Sequence, residues 1–149
     1  MKTSEKGAGL WIRLAKCTHL LLREVRGLHQ DSSVTLPQFD VLAQLLRHPD
    51  GMRTGALSEA LLVTAGNVTG ITRRLLQSGL ISVRSDDRDR RVKIHRLTPA
   101  GRRVAIREVR RMERFLDAVF SEMIRHDQAD LRRSLDRLRL VLEARRAAG

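Results

Sequence analysis

The sequence predicts a mainly α-helical fold carrying one small β-hairpin, an α+β class in which helices dominate. Two observations lead there. Apolar residues recur at three- and four-residue steps along most of the chain. Between Ile81 and His95 that period falls to two. Length agrees, since 149 residues with 42% hydrophobic content can bury one core without a disulfide or metal staple.

Leu10 to Leu28 reads as a first helix, with Leu14, Thr18, Leu21, Val25 and Leu28 on one stripe. Gln30 to Ser33 is a polar break. Thr35 is the expected N-cap of a second helix, Gln38 completing a capping box and Pro37 tolerated in the first turn. Phe39, Leu42, Leu45 and Leu46 form its apolar face, and His48-Pro49-Asp50-Gly51 stops it. A short third helix fits Gly55 to Leu62, burying Leu57, Ala60 and Leu61. Thr64 caps a fourth, Ala65 to Gln77, which ends at Ser78-Gly79. Two helices joined so tightly, the second ending in basic residues, resemble a helix-turn-helix.

Ile81 and Val83 then alternate with Ser82 and Arg84, and Val92 and Ile94 with Lys93 and His95. The charged stretch Ser85 to Arg91 joins them as a hairpin tip. Thr98-Pro99 starts a long fifth helix marked by Val104 or Ala105, Val109, Met112, Leu116, Val119 and Met123. Asp127 is the expected cap of a sixth, whose Leu131, Leu135, Leu138 and Leu142 form a coiled-coil-like seam. A helix-turn-helix followed by a charged hairpin is a winged helix. The long apolar helices at both ends call for a second copy, giving three regions: a dimerisation helix at 1–34, a winged lobe at 35–100 and dimerisation helices at 101–149.

Charge names the class of partner. Lys and Arg number 29 against 17 Asp and Glu, a formal +12. From Thr64 to Arg103 there are ten cations and three acids, so more than half of the net charge falls on a quarter of the chain. A basic stretch that is also structured points to nucleic acid. No apolar run approaches the ~18–20 residues of a membrane span. Met1 to Leu14, charged at Lys2, Glu5, Lys6 and Arg13, has no signal-peptide core. The single Cys17 fits a reducing cytoplasm and excludes a cysteine zinc cluster. The five histidines lack metal-binding spacing, and no phosphate-cradling loop or nucleophile elbow appears, so no enzyme, cofactor or metal is expected.

The order of helix, Thr35-Leu36-Pro37-Gln38-Phe39, helix-turn-helix, wing and long helix resembles the MarR family of bacterial transcriptional regulators. TAGNVTG, LLQSGLI, DRDRR and HRLTPAG, between Thr64 and Gly101, carry most of that resemblance. It implies a cytoplasmic homodimer that binds pseudo-palindromic double-stranded DNA, usually as a repressor released by a small ligand or by oxidation.

On the fourth helix, Val68, Ile71 and Leu75 cluster at about 40–100° from Asn67 and form the expected buried face. Opposite them lie Gly66, Thr69, Gly70, Arg73 and Gln77, with Asn67 and Arg74 at the edge. Two glycines on an exposed helix face favour close approach of another surface. Arg73 and Asn67 are the expected base readers, matching guanine and adenine edges. Thr64, Thr69 and Arg74 suit phosphate or the thymine methyl. In the wing the resemblance implies a structural Asp–Arg pair. Asp89 would orient Arg91, leaving Arg88 or Arg90 to enter the minor groove.

For an effector the resemblance implies a site between dimerisation helices and DNA-binding lobe, with Trp11, Arg13, Cys17, His19 and His48 as candidates. A Trp beside a cation would suit a small aromatic carboxylate. Cys17 raises a redox-sensing alternative, although related organic-hydroperoxide regulators hydrogen-bond their cysteine to tyrosines and this chain has no Tyr. A cysteine on a helix face is more often a small buried hydrophobe. The further alternatives are an architectural DNA-binding protein without an effector and a protein-interaction module built on the terminal helices.

Overall fold

A computed structural model of the chain describes residues 5–148; the part of the leader reading that rests on Met1–Ser4 lies outside them. Among the described residues the order is α1 (Glu5–Leu28), α2 (Leu36–Arg47), β1 (Met52–Arg53), α3 (Thr54–Leu61), α4 (Ala65–Gln77), β2 (Ile81–Ser85), β3 (Lys93–Leu97), α5 (Pro99–Ser121) and α6 (Arg125–Ala147). The mainly helical class with a β wing is therefore the observed one. Two compact units divide at Met112, inside α5.

The first unit is built around α2. The Thr35 N–H donates to Gln38 Oε1 at 2.8 Å, and the Phe39 N–H to the Thr35 carbonyl at 2.8 Å, so this helix starts where its capping residues stand. Val34 and Phe39, on either side of the cap, are both buried and staple the entry. His29, at the end of α1, tilts its ring against Phe39 at a centroid distance of 5.1 Å. Val41, Leu42 and Leu45 meet Leu57 of α3, Val68 and Leu75 of α4, Ile81 of β2 and Ala105 of α5 in one core. Ala60, expected in that core, is exposed. In eight residues α3 has room for one inward row, and Leu57 takes it.

The sheet order is β1-β3-β2, all antiparallel. The sequence pattern missed β1, because two residues are too short to show alternation. That strand makes β3 central and moves its buried face. Val83 opposes His95 and Ile81 opposes Leu97, so His95 turns inward and Ile94 outward, the reverse of the apolar/polar alternation. His95 Nε2 shares a hydrogen bond of 3.0 Å with Thr54 Oγ1, which makes a ring tolerable there. Burial holds its pKa below the ordinary 6.5.

At the end of α4 the Gly79 N–H reaches the Leu76 carbonyl and the Leu80 N–H reaches Leu75, both at 3.0 Å, with Gly79 at φ +70°. This double cap is tied to the start of α5. Thr98 donates its N–H to the Leu80 carbonyl at 3.1 Å and its hydroxyl to the Gly79 carbonyl at 2.7 Å. The same hydroxyl accepts from the Gly101 N–H at 3.0 Å. A Cβ on Gly101 would lie 1.7 Å from the Leu80 carbonyl oxygen, so only glycine allows this approach.

Along α5 the buried positions are Gly101, Ala105 and Glu108. Glu108 interrupts the apolar stripe, paired at 2.9 Å with Arg107 Nη2, which also donates to Ser33 Oγ at 3.0 Å. In the second unit α6 begins after Ile124, which takes the cap position, so Asp127 sits in the first turn and not at the cap. There its carboxylate still complements the helix dipole. Gln128 donates to the carbonyls of Phe120 and Met123, closing the α5–α6 turn, so Met123 falls beyond α5. Leu131, Leu135, Leu138 and Leu142 are all exposed.

Gly101→Ala is expected to destabilise the fold by at least about 1–3 kcal/mol, as overpacking against fixed backbone does, measurable as a lower urea midpoint. The lowered His95 pKa gives a second expectation. Between its folded value and 6.5 the unfolded chain binds more protons, so stability falls as pH drops below about 6.5. Urea midpoints at pH 7.5 and 5.5 should show that loss, and His95→Gln should reduce it.

Candidate nucleic-acid interface

The helix-turn-helix hinges on Leu62, which lies in the left-handed region at φ 54° and ψ 38° and is 80% exposed. The turn is closed by the Val63 N–H on the Ser58 carbonyl at 3.1 Å. Thr64 follows as the N-cap of α4, accepting from the Asn67 N–H at 3.4 Å. From there α4 runs over the residues its pattern marks, Ala65–Gln77. Val68 and Leu75 are fully buried and Ile71 partly so. Thr72 is buried as well, because its hydroxyl donates to the Val68 carbonyl at 2.9 Å and loses its polarity to the helix itself.

The opposite face is open. Asn67, Arg73 and Arg74 are exposed, and neither arginine has an ion-pair partner among the described residues. A Cβ on Gly66 or Gly70 would meet nothing within 4 Å. The protein's own packing therefore does not require these glycines, and the surface they leave is flat and backbone-rich. Thr69 is exposed, but its hydroxyl donates to the Ala65 carbonyl at 2.9 Å, leaving only its lone pairs and methyl to an outside group.

The wing departs from its sequence reading at the pair that shapes it. Asp89 does not hold the Arg91 guanidinium. Its Oδ1 accepts the Arg91 backbone N–H at 2.9 Å, a local turn of the kind short acidic side chains make. The ion pair is between Asp86 Oδ2 and Arg53 Nη2 at 2.8 Å, across from β1. Asp86 Oδ1 also accepts the Arg88 N–H at 2.9 Å, and the Asp86 N–H donates to Val92. The Arg88 N–H and the Arg53 guanidinium together hold the Asp86 carboxyl below its usual range. Arg53 was invisible as a wing residue because nothing in Met52-Arg53 signals a strand. Arg88, Arg90 and Arg91 keep exposed side chains around this anchored base.

The effector candidates are not gathered. Trp11, Arg13, Cys17, His19 and His48 are each exposed. At about 100° per residue, Trp11 and His19 lie on one side of α1 and Arg13 and Cys17 on the other. Arg13 bonds back to the Gly9 carbonyl at 3.1 Å, and His48 ends α2. In the single chain Cys17 is thus exposed and not a buried hydrophobe, on a different side of α1 from Trp11. Among the described residues no group of three or more His, Cys, Asp or Glu gathers as metal ligands would, and no helix is long and apolar enough to cross a membrane.

Residues 34–93 match the model of the MarR family. The transcriptional activatory protein BadR of Rhodopseudomonas palustris is 33% identical over 97 residues, 64% of this chain and 55% of that protein, so the match spans about half of its length. Among solved structures, AbsC, a MarR family transcriptional regulator from Streptomyces coelicolor, superposes with a TM-score of 0.83 at 17% identity, covering 97% of this chain and 99% of that one. The S. aureus MepR–DNA complex superposes at 0.78 and 19% identity, covering 88% and 96%. The fold is that of these winged-helix regulators, and over residues 34–93 the chain is similar to the MarR family.

Proposed function

We propose that the protein is a homodimeric, DNA-binding transcriptional regulator that reads a pseudo-palindromic operator with α4 and the wing. The observation that carries this reading is the open face of α4. Arg73 and Arg74, without an ion-pair partner among the described residues, exposed Asn67 and two glycines with free space above them fit a helix laid against the floor of a major groove. MepR, which shares this fold, was solved bound to DNA. Asn67 and Arg73 are the base readers in this proposal; Thr64, Thr69 and Arg74 contact phosphate or thymine methyl, with Gly66 and Gly70 giving clearance. Arg88 or Arg90 enters the minor groove from a wing base fixed by Asp86, with Arg91 alongside it on the Asp89 turn.

The dimer is supported by apolar surface that the single chain leaves bare. Leu10, Trp11 and Ile12 on α1 are each more than 60% exposed, and the α6 leucine seam is open along its length. Continuous patches of this kind belong in an interface. An effector pocket using Trp11, Arg13, Cys17 or His19 then takes its remaining wall from the second copy. Regulation follows as repression by occupancy of the operator, relieved when a small anionic ligand binds one arrangement of the two reading heads better than the other. The relative named as an activatory protein favours a second reading, in which the bound dimer activates; a promoter–reporter assay with and without the protein separates the two.

Binding to the DNA upstream of its own gene, followed by fluorescence anisotropy, tests the interface. Arg73→Ala should weaken binding by about 1–3 kcal/mol and relax preference at one base pair. Arg90→Ala should weaken all sequences alike and lower the salt slope by about one. Unchanged affinity in both variants would sink the assignment. Light scattering should give a mass twice 16.9 kDa, and Leu135→Glu should shift it towards one copy while reducing operator affinity.

A further inference from the structure

The outer face of the wing sheet holds a cleft that the α4 face does not use and that shares only Arg88 with the proposed wing contacts. Pairing sets Arg53 of β1 and Arg84 of β2 on either side of Ile94 in β3. Strand alternation brings Arg96, two residues on, to the same face. Asp86, Asp87 and Arg88 fold over one end, closing a cleft of about 290 Å³ with Ile94 as its apolar floor.

The cationic groups in this cleft are positioned by the fold. Gly51, at φ +92°, lies so close to the sheet that a Cβ would stand 2.6 Å from Arg96 Cγ and 2.8 Å from Ile94 Cγ2. That approach lets the Asp50 carbonyl take Arg96 Nε at 2.6 Å. Both Nη groups of Arg96 are left without an acceptor among the described residues. Arg53 is held by Asp86, so the cleft already keeps one carboxylate oxygen 2.8 Å from a guanidinium. Arg84 and Arg88 have no side-chain partner among the described residues. Four guanidiniums face two carboxylates over an isoleucine. Like charges brought together across a sheet destabilise it unless something neutralises them, and arginine's fork is suited to planar or tetrahedral oxyanions.

We propose that this cleft is an oxyanion site of the phosphate class, with Arg84 and Arg96 as its principal ligands over Ile94. The anion is either a backbone phosphate of bound DNA or a free phosphate-type ion. For the first source the proposal rests on the regulator reading; for the second it stands alone.

The test uses the full chain at low ionic strength in phosphate-free buffer. Inorganic pyrophosphate is titrated while the backbone amide resonances of Arg84, Ser85, Ile94 and Arg96 are followed. Saturable shifts confined to this face are expected in the wild type. They should vanish in Arg84→Gln and persist in Arg133→Gln, a substitution on the exposed surface of α6. In parallel, the salt dependence of duplex binding is compared between wild type and Arg84→Gln. A slope lower by about one assigns the site to a DNA phosphate, whether or not pyrophosphate also saturates it. An unchanged slope with saturable pyrophosphate binding assigns it to a free anion. Non-saturating shifts spread over all arginines, with an unchanged slope, would overturn the site. A wild type that binds no duplex yet shows the saturable shifts overturns the regulator reading and leaves the cleft standing.

Discussion

The placement of α4 depends on the joint between its C-terminus and the start of α5. Gly79 and Leu80 complete the cap of α4, and the same two carbonyls are the acceptors for Thr98. Gly101 then presses its bare Cα against the Leu80 carbonyl. One backbone segment therefore serves helix end, strand start and helix contact at once. Hydrogen bonds to carbonyls that would otherwise be unsatisfied make this junction specific as well as stable. Because Ala105 and Leu75 share the core just beyond it, a shift of α5 cannot leave α4 where it was. A displacement of the first half of α5 is thus passed to the exposed face of α4 through a short and stiff path.

Much of this was legible in the sequence, wherever a residue's role is set by its immediate neighbours. The limits of α4 follow from Thr64 and Gly79, and the entry of α2 from Thr35 and Gln38. Legibility ended where packing or chain path, and not the local pattern, decided. His95 looks like a polar residue on an alternating strand until β1 makes that strand central and Thr54 supplies a hydrogen bond. Glu108 looks misplaced on an apolar stripe until Arg107 neutralises it and reaches Ser33. Asp127 has the chemistry of a cap, but the chain leaves the α5–α6 turn one residue after Met123 and Ile124 takes the place.

The candidate interface shows the same division. The buried and open faces of α4 follow from helical angle alone, because a single amphipathic helix carries its own reference frame. The wing does not. Its sequence has three aspartates among four arginines, and composition cannot say which pair forms. Asp86 wins because its carboxylate reaches Arg53 across the central strand β3, while Asp89 is committed to the backbone of its own turn. The single chain does not gather the effector candidates, for a related reason. Trp11, Cys17 and His19 are near one another in number, yet a helix turns nearby residues to different sides.

The arrangement of the sheet has one more consequence, for how copies of this protein find each other. Its two outer strands are poor templates for further pairing. One is two residues long, and the other ends in Arg84 and Ser85 beside a charged loop. Short and charged edges resist the edge-to-edge addition of foreign strands. The apolar helices, by contrast, lie open. The open-ended strand stacking that leads to fibres is thereby disfavoured, while the exposed apolar residues of α1 and α6 stay accessible to other surfaces.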